Sequence, residues 1–232
     1  MDTQDLSADQ FPFDYDAEVP KLNFYGQYIK RPVEIIIVVG LIIFFSPLMA
    51  VIALSIRLFS PGPVFYRQVR AGKNGVSFNM LKFRSMKLEN APDLHREYVQ
   101  RLIRENVNPK ELASGTLKLQ SDPRITGMGK ILRKYSLDEI PQLFNVIRGE
   151  MSLVGPRPPL PYELEVYEDW HKLRLAIRPG ITGLWQVIAH NTCSFEEMVR
   201  LDLNYIKTMS LWLDFKIIIL TPIEMIRGKG SG

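Results

Sequence analysis

The sequence is poor in cysteine and has no zinc-binding pattern of cysteine and histidine. Cys193 is the only cysteine among 232 residues, so the chain has no internal disulfide, which is typical of a protein that faces the cytosol. The three histidines stand far apart, and no Cys/His spacing indicates a zinc site. Neither sign of charge is in large excess, with 29 Lys and Arg against 25 Asp and Glu. This mildly basic balance suits anionic lipid headgroups or nucleotide phosphates, and we predict no nucleic-acid partner.

The N-terminal residues lack the pattern of a secretory signal. Residues 1–29 carry scattered acidic and aromatic side chains rather than a basic segment followed at once by an apolar run, so we predict no signal peptide. We expect these residues to form an arm that is either poorly ordered or docked on a surface. The chain as a whole has the length of one large domain, or of one domain with appendages, and this is sufficient for a hydrophobic core.

One long stretch lacks charge altogether. From Ile35 to Ile56 there are 22 residues without a charged side chain, which is long enough to cross a bilayer. Ser46-Pro47 at the midpoint predicts a sharp bend, because proline removes a backbone hydrogen bond. A spanning helix is asymmetric in positive charge, whereas basic residues flank both ends here: Lys30, Arg31, Arg57, Arg67, Arg70 and Lys73. We favour a re-entrant helix over residues 30–59, although physical arguments alone leave a spanning helix open.

The segment after the apolar run predicts a β-hairpin. Two imperfectly alternating stretches within residues 64–84 flank a turn cluster at residues 71–75. Lys82 and Arg84 share one face of the second strand, which is most simply a solvated face. An amphipathic helix follows, with a polar loop beyond it at residues 108–115; its apolar positions are Leu94, Tyr98, Val99, Leu102 and Ile103.

The stretch YSLDEIPQLFNVIRGEMSLVGPRP places adjacent carboxylates, Asp138 and Glu139, at the start of a predicted helix that ends at Gly149. Ser136 and Glu139 match a capping box, which would give them a structural role. Pro141 favours a later start, since its missing N–H is harmless only in the first turn. In either register an acid at a helix N-terminus is held ionised and a phosphate can bind beside it. This environment suits an aspartate that attacks phosphorus.

Basic residues flank this stretch on both sides. Thr126 is positioned to cap a short helix whose basic end, which includes Arg133, points toward Asp138 and would keep it ionised; pairing with the helix dipole is an equal alternative. Beyond the stretch, Arg157 is held between prolines, so its guanidinium loses little entropy on binding a phosphate. A surface arginine in a loop is the simpler alternative.

The run SLDEIPQLFNVIRGEMSLVGPRP resembles the signature of the bacterial sugar transferases known as monotopic phosphoglycosyl transferases, and the resemblance extends from about Lys30 to Lys229. It implies a re-entrant helix broken at a Ser-Pro pair, and it places Lys82 at the active site. It links Arg157 to the nucleotide-sugar site and Asp202, otherwise an ordinary surface residue, to the surroundings of that site. Residues 178–186 also look like a family motif, but no role can be assigned to them.

The fold we predict is α+β and predominantly helical. Residues 30–59 form the re-entrant membrane helix, and residues 60–232 form a cytosolic catalytic domain with a small β-hairpin and interfacial amphipathic helices. One of these is expected within residues 211–226, where Asp214, Lys216 and Pro222 interrupt an apolar run that is too broken to span a membrane.

The resemblance implies transfer of a sugar 1-phosphate from a UDP-sugar to polyprenol phosphate (undecaprenyl phosphate), as the first membrane step of polysaccharide or glycoconjugate synthesis. Asp138 would form a covalent phosphosugar intermediate with release of UMP, and Glu139 with Asp138 would hold Mg²⁺. Lys82, Arg133, Arg157 and Asp202 are the predicted substrate-binding residues.

The predicted location is the cytoplasmic face of the bacterial inner membrane, in contact with membrane lipids. The sugar and the oligomeric state, a homodimer included, stay open. Two alternatives also stay open: a lipid-phosphate phosphatase, although the usual Asp-x-Asp pattern after a strand is missing, and a membrane-anchored interaction module without catalysis.

Overall fold

The structure, a computed structural model, describes residues 21–86, 93–106, 126–189 and 193–227. It is mostly helical and contains a small antiparallel sheet, which confirms the predicted α+β, predominantly helical class. Residues 1–20 of the predicted arm and the predicted polar loop at residues 108–115 lie outside the described residues.

The apolar run forms helix α1, Lys30–Phe59, which follows a π-helix at Tyr25–Ile29. Helix α1 continues through Pro47 without interruption, and the Ser46 hydroxyl donates to the Ile43 carbonyl at 2.8 Å. Within the described ranges, Tyr25–Phe59 is the one helix that is long and apolar enough to cross a membrane by length and composition. The re-entrant path stays a prediction.

One face of α1 is buried against the rest of the protein from its first turn to its last. Its buried residues recur at helical spacing and include Lys30, Glu34, Val38, Met49, Ile52 and Ile56. The opposite face exposes large apolar side chains, among them Ile36, Ile43, Phe44, Val51, Leu54 and Leu58. Contiguous exposed apolar surface of this kind is typical of a membrane contact.

The predicted hairpin is confirmed. Strands β1 (Phe65–Ala71) and β2 (Ser77–Phe83) pair antiparallel, with Tyr66 opposite Lys82. Helix α4 (Gln142–Arg148) holds the hairpin through Asn145, whose side chain is fully buried. Its Oδ1 accepts from the Leu81 N–H at 2.9 Å, and its Nδ2 donates to the Asn79 carbonyl at 2.8 Å.

The helices around the central stretch also follow the sequence pattern. Helix α2 spans Asp93–Arg104, and α3 spans Gly127–Lys134. Thr126 caps α3 as predicted, because its hydroxyl accepts from the Gly129 N–H at 2.9 Å. Helix α4, Gln142–Arg148, ends at Gly149, which adopts φ 82°. A left-handed residue at this position favours glycine.

A second pairing was not predicted from the sequence. Strand β3 (Ser152–Val154) runs parallel to β4 (Gly180–Thr182). The remaining helices are α5 (Pro161–Leu164), α6 (Asp169–Lys172), α7 (Leu184–Ile188), α8 (Phe195–Thr208) and α9 (Leu211–Arg227).

The hydrophobic residues form two clusters. The larger one joins α4, α7, α8 and α9 to the first half of α1. The smaller one lies under the second half of α1 and consists of Met49, Ile52, Ile56, Phe83 and Leu132. Leu137 and Ile140 pack against this smaller cluster, so it supports the turn that carries Asp138.

A buried polar network fastens the start of α1 to α8 and α9. The Lys30 ammonium contacts Asp214 at 2.5 Å, the Tyr205 hydroxyl at 2.9 Å and Glu34 at 3.0 Å. The Tyr25 hydroxyl donates to Asp214 at 2.7 Å. Asp214, which interrupts the apolar run of α9, is therefore the buried partner of Lys30.

Candidate active site

Asp138 lies on a single 3₁₀ turn, Leu137–Glu139, between α3 and α4. Ser136, just before the turn, has φ 50° and ψ 25° and makes no side-chain capping bond, so the capping box with Glu139 does not form. Pro141 occupies the N-cap position of α4, so Asp138 does not cap that helix either. Both structural interpretations of the acidic pair are therefore wrong.

Burial dominates the ionisation of Asp138. The residue is 7% exposed, and this burial raises the pKa of its carboxyl to about 6. The Lys82 charge lowers this pKa, Glu139 raises it, and Arg133 lowers it to a smaller extent. The helix end and the nearby cations were expected to hold Asp138 ionised, but desolvation outweighs them. Above about pH 6 the carboxylate is nevertheless ionised, and it is a stronger base than an ordinary aspartate.

Three of the predicted site residues gather around Asp138. Lys82 on β2 forms an ion pair with Glu139 at 2.6 Å between Nζ and Oε1. Arg133, near the end of α3, donates from Nε to the Ser85 hydroxyl at 3.1 Å. Its charge lowers the pKa of Asp138. A carboxylate near two cations, with a second carboxylate next to it in sequence, is suited to binding and attacking a phosphoryl group.

Arg157 lies on a separate loop whose backbone is held on several sides. The Gly155 N–H donates to the Thr182 carbonyl at 2.9 Å, and the Pro156 carbonyl accepts from Gly180 at 2.8 Å. The Pro158 carbonyl accepts from Nη1 of Arg70 at 2.9 Å. The guanidinium of Arg157 itself is exposed to solvent. This arrangement is consistent with the prediction of a fixed loop that presents one cation.

Arg70 is a site residue that the sequence analysis did not single out. It is 5% exposed, and burial together with the nearby Arg157 charge lowers its pKa to about 10. Glu163 and Glu139 act on it in the opposite direction. Arg70 therefore holds the Arg157 loop and interacts by charge with Glu139. Strand alternation offered a signal, because Arg70 lies four pairs along the hairpin from Tyr66–Lys82 and on the same face.

Asp202 is not part of the group around Asp138. It is fully buried on α8, where it forms an ion pair with Arg174, which is also buried. Burial raises the pKa of Asp202, and the Arg174 guanidinium opposes this effect. Arg174 also donates to the Tyr167 hydroxyl at 3.1 Å and to the Arg157 carbonyl at 3.5 Å. The pair thus supports the Arg157 loop from behind, and a direct contact of Asp202 with substrate stays a prediction.

The motif at residues 178–186 now has a structural role. A Cβ at Gly180 would lie 2.1 Å from the backbone nitrogen of Gly155, and one at Gly183 would lie 2.5 Å from the Gly155 carbonyl oxygen. Glycine at both positions lets β4 approach the start of the Arg157 loop. Arg178 adds a hydrogen bond from Nε to the Gly149 carbonyl at 2.8 Å.

The donor set around Asp138 fits a magnesium ion that is completed by substrate. Asp138 and Glu139 supply adjacent carboxylates, and Mg²⁺ is commonly held by one or two carboxylates together with substrate phosphates. The part of the chain that the structure describes contains no cluster of three or more acidic, histidine or cysteine ligands. The described residues therefore do not form a metal site in which the protein alone supplies three or more such ligands.

Comparison with known proteins identifies the family. A family model described as bacterial sugar transferase matches residues 25–228. The chain therefore belongs to the bacterial sugar transferase family, as the central motif predicted, and it is a transferase enzyme.

Three curated relatives cover most of the chain. The exopolysaccharide production protein ExoY of Rhizobium meliloti (strain 1021) is 40% identical over 220 residues, 95% of each chain. The undecaprenyl-phosphate galactose phosphotransferase of Salmonella typhimurium is 38% identical over 89% of this chain and 42% of its own. The UDP-glucose:undecaprenyl-phosphate glucose-1-phosphate transferase of Escherichia coli K12 is 36% identical over 94% of this chain and 44% of its own.

Proposed function

We propose that this protein transfers a sugar 1-phosphate from a UDP-sugar to undecaprenyl phosphate or a similar polyprenyl phosphate, with Asp138 as the covalent carrier. The names of the Salmonella and Escherichia relatives, which specify a UDP-sugar donor and an undecaprenyl phosphate acceptor, support both substrate classes. The observation that carries the proposal is the buried Asp138 carboxylate, which the charges of Lys82 and Arg133 act on and whose turn packs on the cluster under α1.

In the first step a carboxylate oxygen of Asp138 attacks the β-phosphorus of the UDP-sugar. A bond forms between these two atoms, the bond from phosphorus to the oxygen that bridges the two phosphates breaks, and UMP leaves with that electron pair. Lys82 and Arg133 offset the charge that builds up on the phosphoryl oxygens. We assign the exposed Arg157, on the loop that the buried Arg70 holds, to the phosphate of the departing nucleotide.

In the second step an oxygen of the polyprenyl phosphate attacks the same phosphorus. The bond from phosphorus to Asp138 breaks, the carboxylate is regenerated, and the product is a polyprenyl diphosphate sugar. The acceptor phosphate lies at the bilayer surface, so Asp138 must be near that surface. The exposed apolar face of α1 supports this nearness to the bilayer. In this proposal the catalytic residues lie on the cytoplasmic side of the inner membrane, and α1 follows a re-entrant path.

Asp138 and Glu139 are also the residues we assign to Mg²⁺. A bound ion would neutralise charge on the donor phosphates. Chelation is expected to abolish UMP release and to weaken protection of the protein by UDP-sugar against thermal unfolding, and added Mg²⁺ is expected to restore both.

The covalent intermediate is tested with a panel of UDP-sugars labelled in the sugar phosphate, without acceptor. We expect one UMP per active protein, label on the peptide that contains residue 138, and discharge of the label when polyprenyl phosphate is added. Asp138→Asn is expected to lose turnover by at least about 10³-fold. The matched control Asp169→Asn changes a fully exposed aspartate on α6 and is expected to retain activity.

A preparation that turns over and never carries label on this peptide would overturn the covalent step. The same assay separates the alternatives. A lipid-phosphate phosphatase would release phosphate without any nucleotide sugar, and a non-catalytic interaction module would behave identically with and without the Asp138→Asn change.

A further inference from the structure

A cavity of about 320 Å³ lies between the last turn of α1 and the first turn of α3. Its walls are largely apolar and include Ile56, Phe59, Met128 and Ile131. The Arg84 side chain at its edge donates to the carbonyls of Ser60 and Pro61, which fixes the chain after α1. The cavity is of the size and polarity typical of sites for small apolar groups.

An exposed apolar track leads from this cavity toward Asp138. Ile131 and Tyr135 are one turn apart, so they lie on the same face of α3 and its C-terminal cap. They are 53% and 56% exposed, and Ile131 also lines the cavity. Helix α3 has eight residues and is therefore about 12 Å long. The turn that carries Asp138 begins directly after Tyr135.

The cavity also borders the apolar face of α1. Leu54, Leu58 and Phe59 are 60%, 69% and 78% exposed on its last turns. These side chains extend the exposed apolar surface of α1 as far as the cavity, with the exposed Arg57 among them. The cavity, Ile131, Tyr135 and the turn that carries Asp138 therefore follow one another along α3.

We propose that the cavity and the Ile131–Tyr135 track bind the first isoprene units of the polyprenyl phosphate acceptor. This assignment rests on the proposed function. A phosphate placed at Asp138 for the second step has its hydrocarbon chain beginning beside Tyr135, and the length of α3 brings the first few isoprene units to the cavity. The subsite thus recognises the acceptor by its hydrocarbon and has no role in donor binding.

The test fills the cavity from a position that tolerates a side chain. A Cβ at Gly127 meets no atom within 4 Å, and Gly127 lines the cavity, so Gly127→Leu is expected to fold and to occupy the space. Gly40→Leu is the matched control, because Gly40 is an exposed glycine of α1 that also has open space around its Cβ. Ile131→Asn, at an exposed position, provides a second variant.

Gly127→Leu and Ile131→Asn are expected to raise the KM for undecaprenyl phosphate by about tenfold or more. Acceptor-independent UMP release and the KM for the donor should stay at the wild-type values, and Gly40→Leu should match the wild type throughout. The subsite is overturned if both cavity variants keep the wild-type acceptor KM, or if they lose the first half-reaction to the same extent. Failure of the proposed function would look different, since the wild type itself would release no UMP.

Discussion

At the scale of single residues, the raised pKa of Asp138 sets the pH dependence of the first half-reaction. Only the ionised carboxylate attacks phosphorus, so acceptor-independent UMP release is expected to fall, with a slope of one proton, below a pKa of Asp138 that is about 6 without metal and lower when Mg²⁺ is bound. Lys82→Met removes a charge that lowers this pKa and should move the midpoint to higher pH. Single-turnover UMP release measured at several pH values checks both, and an equal midpoint in the wild type and in Lys82→Met would contradict them.

The same pKa shift means that ionised Asp138 lowers the free energy of unfolding. Its pKa in the folded protein, about 6, lies above the ordinary value of 3.8, so the folded state binds the proton more tightly than the unfolded state. This contribution reduces stability as the pH rises from about 4 to about 6 and is constant above that. Asp138→Asn should therefore unfold at a higher temperature than the wild type at pH 7, with a smaller difference near pH 4. A variant less stable than the wild type at pH 7 would be evidence against this.

The buried Asp202–Arg174 pair leads to a different prediction. Asp202→Ala leaves the Arg174 guanidinium buried without its charge partner, so the free energy of unfolding should fall by about 3–5 kcal/mol. The double variant Asp202→Leu with Arg174→Met should recover most of this loss, yet raise the donor KM because the Arg157 carbonyl loses its support. Denaturant unfolding and donor kinetics measure the two effects. An Asp202→Ala protein with wild-type stability and a raised donor KM would instead favour direct substrate binding by Asp202.

Sequence patterns identified the site residues that lie on regular helices and strands. Lys82 follows from strand alternation together with the family resemblance, and Arg133 from the basic end of a capped helix. Arg70 and Arg174 were missed, because their importance comes from burial and from carbonyls on a distant loop. The raised pKa of Asp138 was missed for the same reason, since burial of this turn depends on tertiary packing.

At the scale of elements, the placement of Arg133 depends on a close approach between α3 and the end of the hairpin. A Cβ at Gly129 would lie 1.9 Å from the Ser85 carbonyl oxygen, whereas a Cβ at Gly127 in the same helix meets nothing within 4 Å. Gly129→Ala should therefore lower the free energy of unfolding by about 1–3 kcal/mol and slow UMP release, because α3 and Arg133 must move away. Gly127→Ala should retain or gain stability. Thermal unfolding compares them, and equal stability of the two variants would refute the argument.

Elements defined by neighbouring residues were predictable and those defined by distant pairs were not. The hairpin follows from alternation around its glycine-containing turn, and the end of α4 follows from Gly149. The parallel pairing of β3 with β4 joins Ser152 to Gly180, and each strand has three residues, too few for a periodic signal. The register of the central turn was also missed, because Ser136 adopts a left-handed conformation that no local pattern requires.

At the scale of the whole molecule, α1 is in contact with the folded domain along its entire length. Its first turns are fastened to Asp214 and to the backbone of Leu153, the latter through Glu34 at 2.9 Å. Its last turns pack on Phe83 and Leu132. Thirty residues of helix measure about 45 Å, so a helix that left the domain to cross a bilayer would carry its second half away from these contacts.

We therefore predict that both ends of α1 face the same side of the membrane. Single cysteines introduced at Lys21 and Lys73, both exposed and one on each side of α1, serve as reporters in a background where the buried Cys193 is replaced by alanine. In intact cells neither should react with a membrane-impermeant maleimide, and after permeabilisation both should react. Labelling of one site in intact cells and of the other only after permeabilisation would mean that α1 spans the bilayer. In that case the contacts of its second half with Phe83 and Leu132 could not persist in the membrane, and the acceptor path along α3 would be lost with them.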